Sequence, residues 1–426
     1  INGILENYTE GLGAEVAQAL TKATAGQSAA QAEQKSFKDG AKDVEDLVQD
    51  APITRALNAI MEYAINSKAS DIHVEPRETD LKIRFRIDGI LQDAMTLPKT
   101  TEPALISRIK ILSNLKIDEH RIPQDGEAQY KIADREVDLR IAIAPITYGE
   151  QVVMRILDKS DALMSLDSLG FRGRSYKLIK QGMSKPHGMI LSTGPTGSGK
   201  STTLYAVIQE IKNVAINIVT LEDPVEYKID GINQIQVNPG VGLTFATGLK
   251  SILRQDPNVI MVGEIRDHET ADLAVQAALT GHVVLSTLHT NSASGVLPRL
   301  LDMGIEPFLI ASTVNTVIGQ RLVRKVCDNC KKPFESSAAA TQMINSALGG
   351  ILPKSEGERV AKIEDLGYED LPIYNEKAYT LYKGEGCSQC TDGYKGRTGI
   401  YEVFELNEAM ERLLVARATT TEIQKQ

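Results

Sequence analysis

The sequence predicts an α/β protein of two or three domains. Three observations carry this: short apolar runs that each lead into a helical stretch, a glycine-rich phosphate-binding consensus at one such junction, and an earlier segment whose apolar residues alternate instead. At 426 residues the chain is too long for one core, and its 42% apolar content is that of ordinary globular protein. Lys and Arg number 47 against 56 Asp and Glu, a formal charge of −9. With only short basic runs, such as "RLVRK" at 321 to 325, no direct nucleic-acid partner is expected. No run approaches the ~20 apolar residues of a membrane span. No charged-then-apolar leader opens the chain, so the expected compartment is the cytoplasm.

Taken in order, Ile4, Leu5, Leu12, Val16 and Leu20 fall at helical spacing, and the Ala-, Gln- and Ser-rich stretch that follows reads as a tether, giving a first segment of residues 1–50. Pro52 suits a first helical position, with Ile53, Leu57, Ile60, Met61, Ala64 and Ile65 on one face. After "SDIHVEP", Leu81, Ile83, Phe85 and Ile87 alternate with charges up to Asp88-Gly89, a hairpin signal. "LISRIKILSNL" reads as an amphipathic helix. Two alternating stretches, "EVDLRIAIAP" and "EQVVMRILD", close a small mixed domain, 51–159, with its boundary at "DKSDALMS". Beyond it the strands "MILST", "NIVTLE", "VIMVGE" and "VVLSTLH" alternate with helices, the pattern of a parallel sheet, over 160–325. The passage around 336 to 357 reads as low complexity.

Gly194, Pro195, Thr196, Gly197, Ser198, Gly199, Lys200 and Ser201 match G-x-x-x-x-G-K-[ST], with Thr202 continuing into the helix. Glycines let backbone N–H groups turn inward, Lys200 neutralises terminal phosphates, and the Ser201 hydroxyl suits Mg²⁺. ATP or GTP is the expected ligand; a glycine-rich turn that binds nothing is the alternative.

Hydrolysis also needs carboxylates at the carboxyl ends of neighbouring strands. Glu264 lies just past Val259 to Val262, separated by Gly263, so a magnesium contact through water is expected. Asp256 lies at the wrong end. Glu222 ends "NIVTLE" and is the candidate general base, against a surface acid or helix cap. His282 and His289 flank "VVLSTL", and only His289 is expected on the phosphate side, where it reads either as a sensor of phosphate or water or as an ordinary hydrogen-bonding histidine. Cys327, Cys330, Cys387 and Cys390 form two C-x-x-C pairs with 56 residues, 331 to 386, between them. In a reducing compartment such pairs favour a structural Zn²⁺ site with its own lobe, with free thiols or a redox pair as alternatives.

Laid in order, "ASDIHVEP", "RIPQDG", "GPTGSGKSTT", "TLEDPVE", "RQDPNVIMVGEIRDHETADLAVQAALTGHVVLSTLHTN" and the cysteine quartet resemble the secretion ATPases that power type IV pilus assembly and type II secretion, from about Pro52 to Glu405. The resemblance implies a PAS-like α+β domain before a RecA-like P-loop motor. A zinc-binding tetracysteine subdomain, 326–398, and a truncated helical segment, 399–426, would follow. It implies a Mg²⁺-dependent ATPase working as a homo-hexamer, peripheral at the inner membrane through a platform protein. Glu222, Glu264, His282 and His289 would take the family's acidic- and histidine-box roles, Arg140 and Arg155 would reach nucleotide phosphates, and Arg321 or Arg324 would act across a ring interface. Retraction motors of the superfamily lack the quartet, and the long cysteine spacer is more like that of pilus-assembly members than of secretion members. The resemblance also implies further N-terminal helical domains and final C-terminal helices. A DNA uptake or conjugation motor and a non-hydrolysing nucleotide-gated scaffold remain the rival readings.

Overall fold

A computed structural model describes residues 52–132, 135–158 and 164–426. The expected N-terminal helix and tether, and most of the boundary stretch, lie outside these residues. The described chain falls into two units. One runs to residue 158 and includes Gly386–Asp392; the other runs from 164 to Glu385 and resumes over Gly393–Gln426.

In the first unit, helix α1 (Pro52–Asn66) buries Leu57, Ile60, Met61, Ala64 and Ile65, the face its spacing predicts. Strands β1 (Ala69–Pro76), β2 (Asp80–Ile87) and β3 (Ile90–Pro98) precede helix α2 (Glu102–Leu112), and β4 (Gln124–Ile132), β5 (Arg135–Ile146) and β6 (Gly149–Asp158) follow it. The six strands form one antiparallel sheet in the order β3-β2-β1-β6-β5-β4. Asp88 and Gly89 both take positive φ, 49° and 84°, as a two-residue type I′ turn requires, and the expected hairpin forms with Ile87 opposite Ile90. Ile72, Val74, Ile83, Phe85, Leu139, Ile141, Val152 and Met154 are buried with the apolar faces of α1 and α2. Because side chains alternate along a strand, the opposite sheet face carries Asp71, His73, Glu75, Arg84, Arg86, Arg140 and Arg155. Strand β4 escaped the sequence reading: it is an edge strand whose Ala128 and Tyr130 are only partly buried, so its alternation is weak.

The second unit opens with a four-residue helical turn (Leu166–Leu169) and α3 (Gly173–Ser184) and then alternates: β7 (Gly188–Thr193), α4 (Lys200–Ile211), β8 (Ile218–Glu222), β9 (Asn233–Gln236), α5 (Phe245–Ile252), β10 (Val259–Val262), α6 (His268–Leu279) and β11 (Val283–Leu288). Helices α7 (Val296–Asp302) and α8 (Pro307–Thr313) lead into β12 (Val314–Val326). The antiparallel partners β13 (Lys331–Glu335) and β14 (Thr380–Gly384) enclose α9 (Ala338–Leu348) and α10 (Glu356–Leu366) in sequence, before β15 (Tyr394–Glu405), α11 (Glu408–Val415) and α12 (Thr420–Lys425). The main sheet has the order β15-β12-β7-β11-β10-β8-β9, parallel except for β15. All residues of β7, β8, β10 and β11 are buried, which is why these four strands read as continuous apolar runs. Helices cover both faces: Met189 and Leu191 join one core with Val262 and Ala274, while Ile190 joins another with Leu204 and Met261.

The second unit also departs from expectation. β12 and β15 were not foreseen, because their outer halves, beyond Gln320 and before Tyr401, are largely exposed and charged and show no apolar period. The supposed low-complexity passage holds α9 and opens α10; Ser337 and Ser355 cap these helices, so serine and alanine there mark helix starts and interiors.

Candidate functional site

Parallel pairing decides where the chemistry collects. Thr193 of β7 stands opposite Leu288 of β11, Ser286 of β11 opposite Val262 of β10, and Val262 opposite Leu221 of β8. The residues following these strands therefore emerge at one edge: the glycine-rich loop, His289, Glu264 and the strand-ending Glu222. Hydrogen bonds tie these ends together. The Thr290 N–H donates to Thr193 Oγ1 at 3.0 Å, Ile265 N–H to the Thr287 oxygen at 2.9 Å, and Gly263 N–H to the Leu221 oxygen at 2.7 Å.

The loop itself is a backbone cradle. Gly194, Gly197 and Gly199 all take positive φ, and a Cβ at Gly194 would run into the Gln320 carbonyl oxygen. Helix α4 starts at Lys200, leaving its first N–H groups to face a ligand. Pro195, Thr196 and Gly197 form the exposed outer arc, and the buried Ser198 hydroxyl has no partner among the described residues. Lys200 Nζ donates to the carbonyls of Gly194 and Pro195 at 3.0 and 3.1 Å. Burial pushes its pKa down, and the charge of Glu264 partly offsets this. Ser201 and Thr202 follow on the first turn of α4.

Glu264 and His289 meet. His289 Nε2 lies 3.2 Å from Glu264 Oε2, and Arg266 donates to Oε1 of the same carboxylate. Burial alone would raise the Glu264 pKa, but the Arg266 hydrogen bond and the Arg266 and His289 charges outweigh it and hold the carboxyl below its usual value.

Glu222 has a different environment. It is 3% exposed, and Tyr205 of α4 donates to Oε2 while Thr220 and Gln234 donate to Oε1 at 2.5 and 3.1 Å. Burial pushes its pKa up; those three donors act in the opposite sense. The Tyr205 hydroxyl also accepts from the Glu226 N–H at 3.2 Å, and burial raises its own pKa.

His282 is not brought to this edge. It precedes β11, at the far end of that strand from His289, where its Nδ1 lies 2.8 Å from the Ala277 oxygen and its own carbonyl accepts from Gly188. A six-residue strand separates the two histidines by on the order of 20 Å. In the first unit Arg140 and Arg155 stand directly opposite each other on β5 and β6, and Arg155 Nε donates to the buried Asp71 at 3.0 Å. Arg321 donates to the Asn291 oxygen at 3.2 Å, while Arg324 lies over the Tyr394 ring at 4.1 Å.

Sequence reasoning missed Tyr205, Thr220, Gln234, Arg266 and Gln320. The Thr220 and Arg266 signals were legible, since each lies two residues from its glutamate. The other three reach the site from separate elements, which no local pattern announces.

The sulfur atoms of Cys327, Cys330, Cys387 and Cys390 all lie within 4.8 Å of one another, and Cys387 and Cys390 are 3.5 Å apart. That separation is far beyond a disulfide's ~2.05 Å. It suits thiolates around one tetrahedral ion, for which Zn–S bonds of ~2.3 Å place sulfurs about 3.8 Å apart. The donor set fits zinc and leaves no open position for a substrate.

A parallel sheet with a glycine-rich loop between strand and helix, and acidic residues at the ends of neighbouring strands, defines a P-loop nucleotide-binding domain. The family model described as "Type II/IV secretion system protein" matches residues 46–426, and the chain belongs to that family. It is 46% identical over 385 residues to the type II secretion system ATPase E of Vibrio cholerae, covering 89% of this chain and 71% of that protein. It is 44% identical over 379 residues to the type IV pilus assembly ATPase PilB of Myxococcus xanthus, covering 88% and 63%. The fold resembles the Legionella pneumophila ATPase DotB, with a TM-score of 0.57 and 21% identity over 87% of this chain and 85% of that one. The chain is thus a secretion-family ATPase. Among the described residues no helix is long and apolar enough to cross a membrane.

Proposed function

We propose that this ATPase hydrolyses ATP at the shared carboxyl edge of β7, β8, β10 and β11 and converts turnover into movement of a type IV pilus assembly machine. The observation that carries this is the register, which delivers the phosphate loop, Glu222, Glu264 and His289 to one edge. Loop N–H groups and Lys200 hold the phosphates, and Glu222 orients the attacking water and accepts its proton. For that, Glu222 exchanges a hydrogen-bond donor for water, and the raised pKa that burial gives it suits a base. Ser201 and, through water, Glu264 would hold Mg²⁺ with oxygen donors of the kind it favours, and the ion would contribute charge neutralisation at the phosphates. His289 is assigned to sensing the outer phosphate through Glu264. On the family resemblance, Arg140 and Arg155 contact phosphates, and His282 acts indirectly from the far end of β11.

The division 1–50, 51–159, 160–325, 326–398 and 399–426 is proposed as linker, PAS-like domain, RecA-like core, zinc-binding subdomain and C-terminal segment. We propose a homo-hexameric ring, cytoplasmic and held at the inner membrane by a platform protein. The long cysteine spacer supports pilus assembly; the 46% identity to a type II secretion ATPase supports a secretion motor as the second reading. Restoring pili, rather than exoprotein release, to strains lacking each motor separates the two.

Lys200→Ala tests the site. Phosphate release should fall to background in the purified protein, and a variant that keeps wild-type turnover overturns the assignment.

A further inference from the structure

Gln320 lies where β12 outruns its pairing with β7. Gly319 is opposite Thr193, so the next residue stands beside the start of the phosphate loop. Its side chain is 4% exposed and both ends of the amide are engaged. Nε2 donates to the Ser198 carbonyl oxygen at 2.6 Å, and Oε1 accepts from Ser192 Oγ at 3.2 Å. Ser192 belongs to β7, so the amide is braced on the strand before the loop and grips the loop at its far side. The Gln320 main chain closes the same contact, its carbonyl oxygen occupying the space that Gly194 leaves by lacking a Cβ.

The gripped peptide matters for phosphate binding. In a trans peptide the C=O and N–H point in opposite directions. Holding the Ser198 carbonyl toward β12 therefore turns the Gly199 N–H away from β12. Among the described residues that N–H has no hydrogen-bond partner, and it lies one residue before the free N–H groups that open α4. Glycines on both sides of Ser198, with φ of 75° and 88°, leave this peptide conformationally permissive. Flipped over, it would present a carbonyl oxygen where a phosphate oxygen has to sit. Something outside the loop must choose the orientation, and the Gln320 amide is the group in contact.

We propose that Gln320 is a positioning residue for the ATP site, its side-chain amide locking the Ser198–Gly199 peptide with the N–H turned to the phosphates. Ser192 acts behind it by fixing which end of the amide faces the loop: its hydroxyl claims Oε1 and leaves the NH₂ for Ser198. The inference rests on the phosphate loop binding ATP, as proposed above.

The test compares wild type, Gln320→Met, Gln320→Glu and Ser192→Ala in MgATP and MgADP binding, steady-state kinetics and thermal melting. Gln320→Met keeps the length of the side chain and removes both hydrogen bonds. It should raise the nucleotide Kd and KM at least tenfold while kcat falls less than threefold. Gln320→Glu turns an acceptor toward the Ser198 oxygen and should weaken binding further. Ser192→Ala should give a smaller loss of the same kind, two- to fivefold, and tests the brace without altering Gln320 if the Gln320 variants fail to fold. Variants that melt lower but keep wild-type Kd and KM would reduce Gln320 to a packing role and overturn the proposal. Wild-type protein that bound no MgATP would instead overturn the ATP-site reading, a result distinguishable because it appears before any substitution.

Discussion

Glu222 ends β8 and Glu264 lies two residues beyond the neighbouring parallel strand β10; the two side chains are identical and their surroundings opposite. At the end of β8 the carboxylate is buried among uncharged donors, Tyr205, Thr220 and Gln234, and its pKa is raised. Past β10 it sits between Arg266 and His289, and its pKa is lowered. Two acids whose environments push their pKa values apart can divide the labour of one reaction, one taking a proton and the other staying charged. Motif position suggested the two roles; the surroundings that suit each glutamate to its own come only from the structure.

Exchanging charge for neutrality at each acid tests the contrast most directly. Glu222→Gln should lower kcat by roughly 10²–10⁴-fold, the usual worth of a general base, with ATP binding kept within about threefold. Filter binding beside phosphate release checks it, and a variant with near-wild-type kcat removes Glu222 as the base. Glu264→Gln should cost less, about 10–100-fold in apparent magnesium affinity, because an outer-sphere group acts through water. A magnesium titration of turnover reads this, and an unchanged half-saturation point removes Glu264 from the metal's surroundings.

The remaining tests are finer. Tyr205 donates to the charged form of Glu222, so losing that bond destabilises the carboxylate and raises its pKa. Tyr205→Phe should move the acid limb of the kcat profile upward by about one pH unit, consistent with ~1.5 kcal/mol for a hydrogen bond to a charged group. A downward shift would reverse the sign of the assigned interaction. Smallest in its effect on turnover, Cys390→Ser should lower the melting temperature and release zinc. It should leave kcat per folded molecule within about twofold, since the quartet has no open position for substrate. A large fall in kcat at unchanged folding would make the cysteines part of the chemistry.

Much of the second unit was legible because its inner strands are buried on both sides, so each appears as a bare apolar run, and because a phosphate loop needs glycine at fixed offsets. The β2–β3 hairpin was legible for a comparable reason: Asp88-Gly89 is among the few pairs that tolerate two successive positive φ angles. β12 and β15 were not, since they pass from core to solvent within one strand and dilute the signal. The reading of 336–357 failed because caps and helix formers share a composition with flexible chain.

Local chemistry thus determined which residues could bind phosphate and metal: the loop, Lys200, the acids and the cysteine pairs are marked by type and spacing along the chain. Which of them meet was decided by tertiary structure. Parallel register between strands distant in sequence brings His289 to Glu264 and leaves His282 at the far end of β11. Packing of α4 and β9 against β8 brings Tyr205 and Gln234 to Glu222, and pairing of β12 with β7 brings Gln320 to the phosphate loop. The reason is physical: residue spacing encodes dihedral preference and periodicity over a few residues, whereas the dielectric and the donors around a carboxylate come from elements tens of residues away.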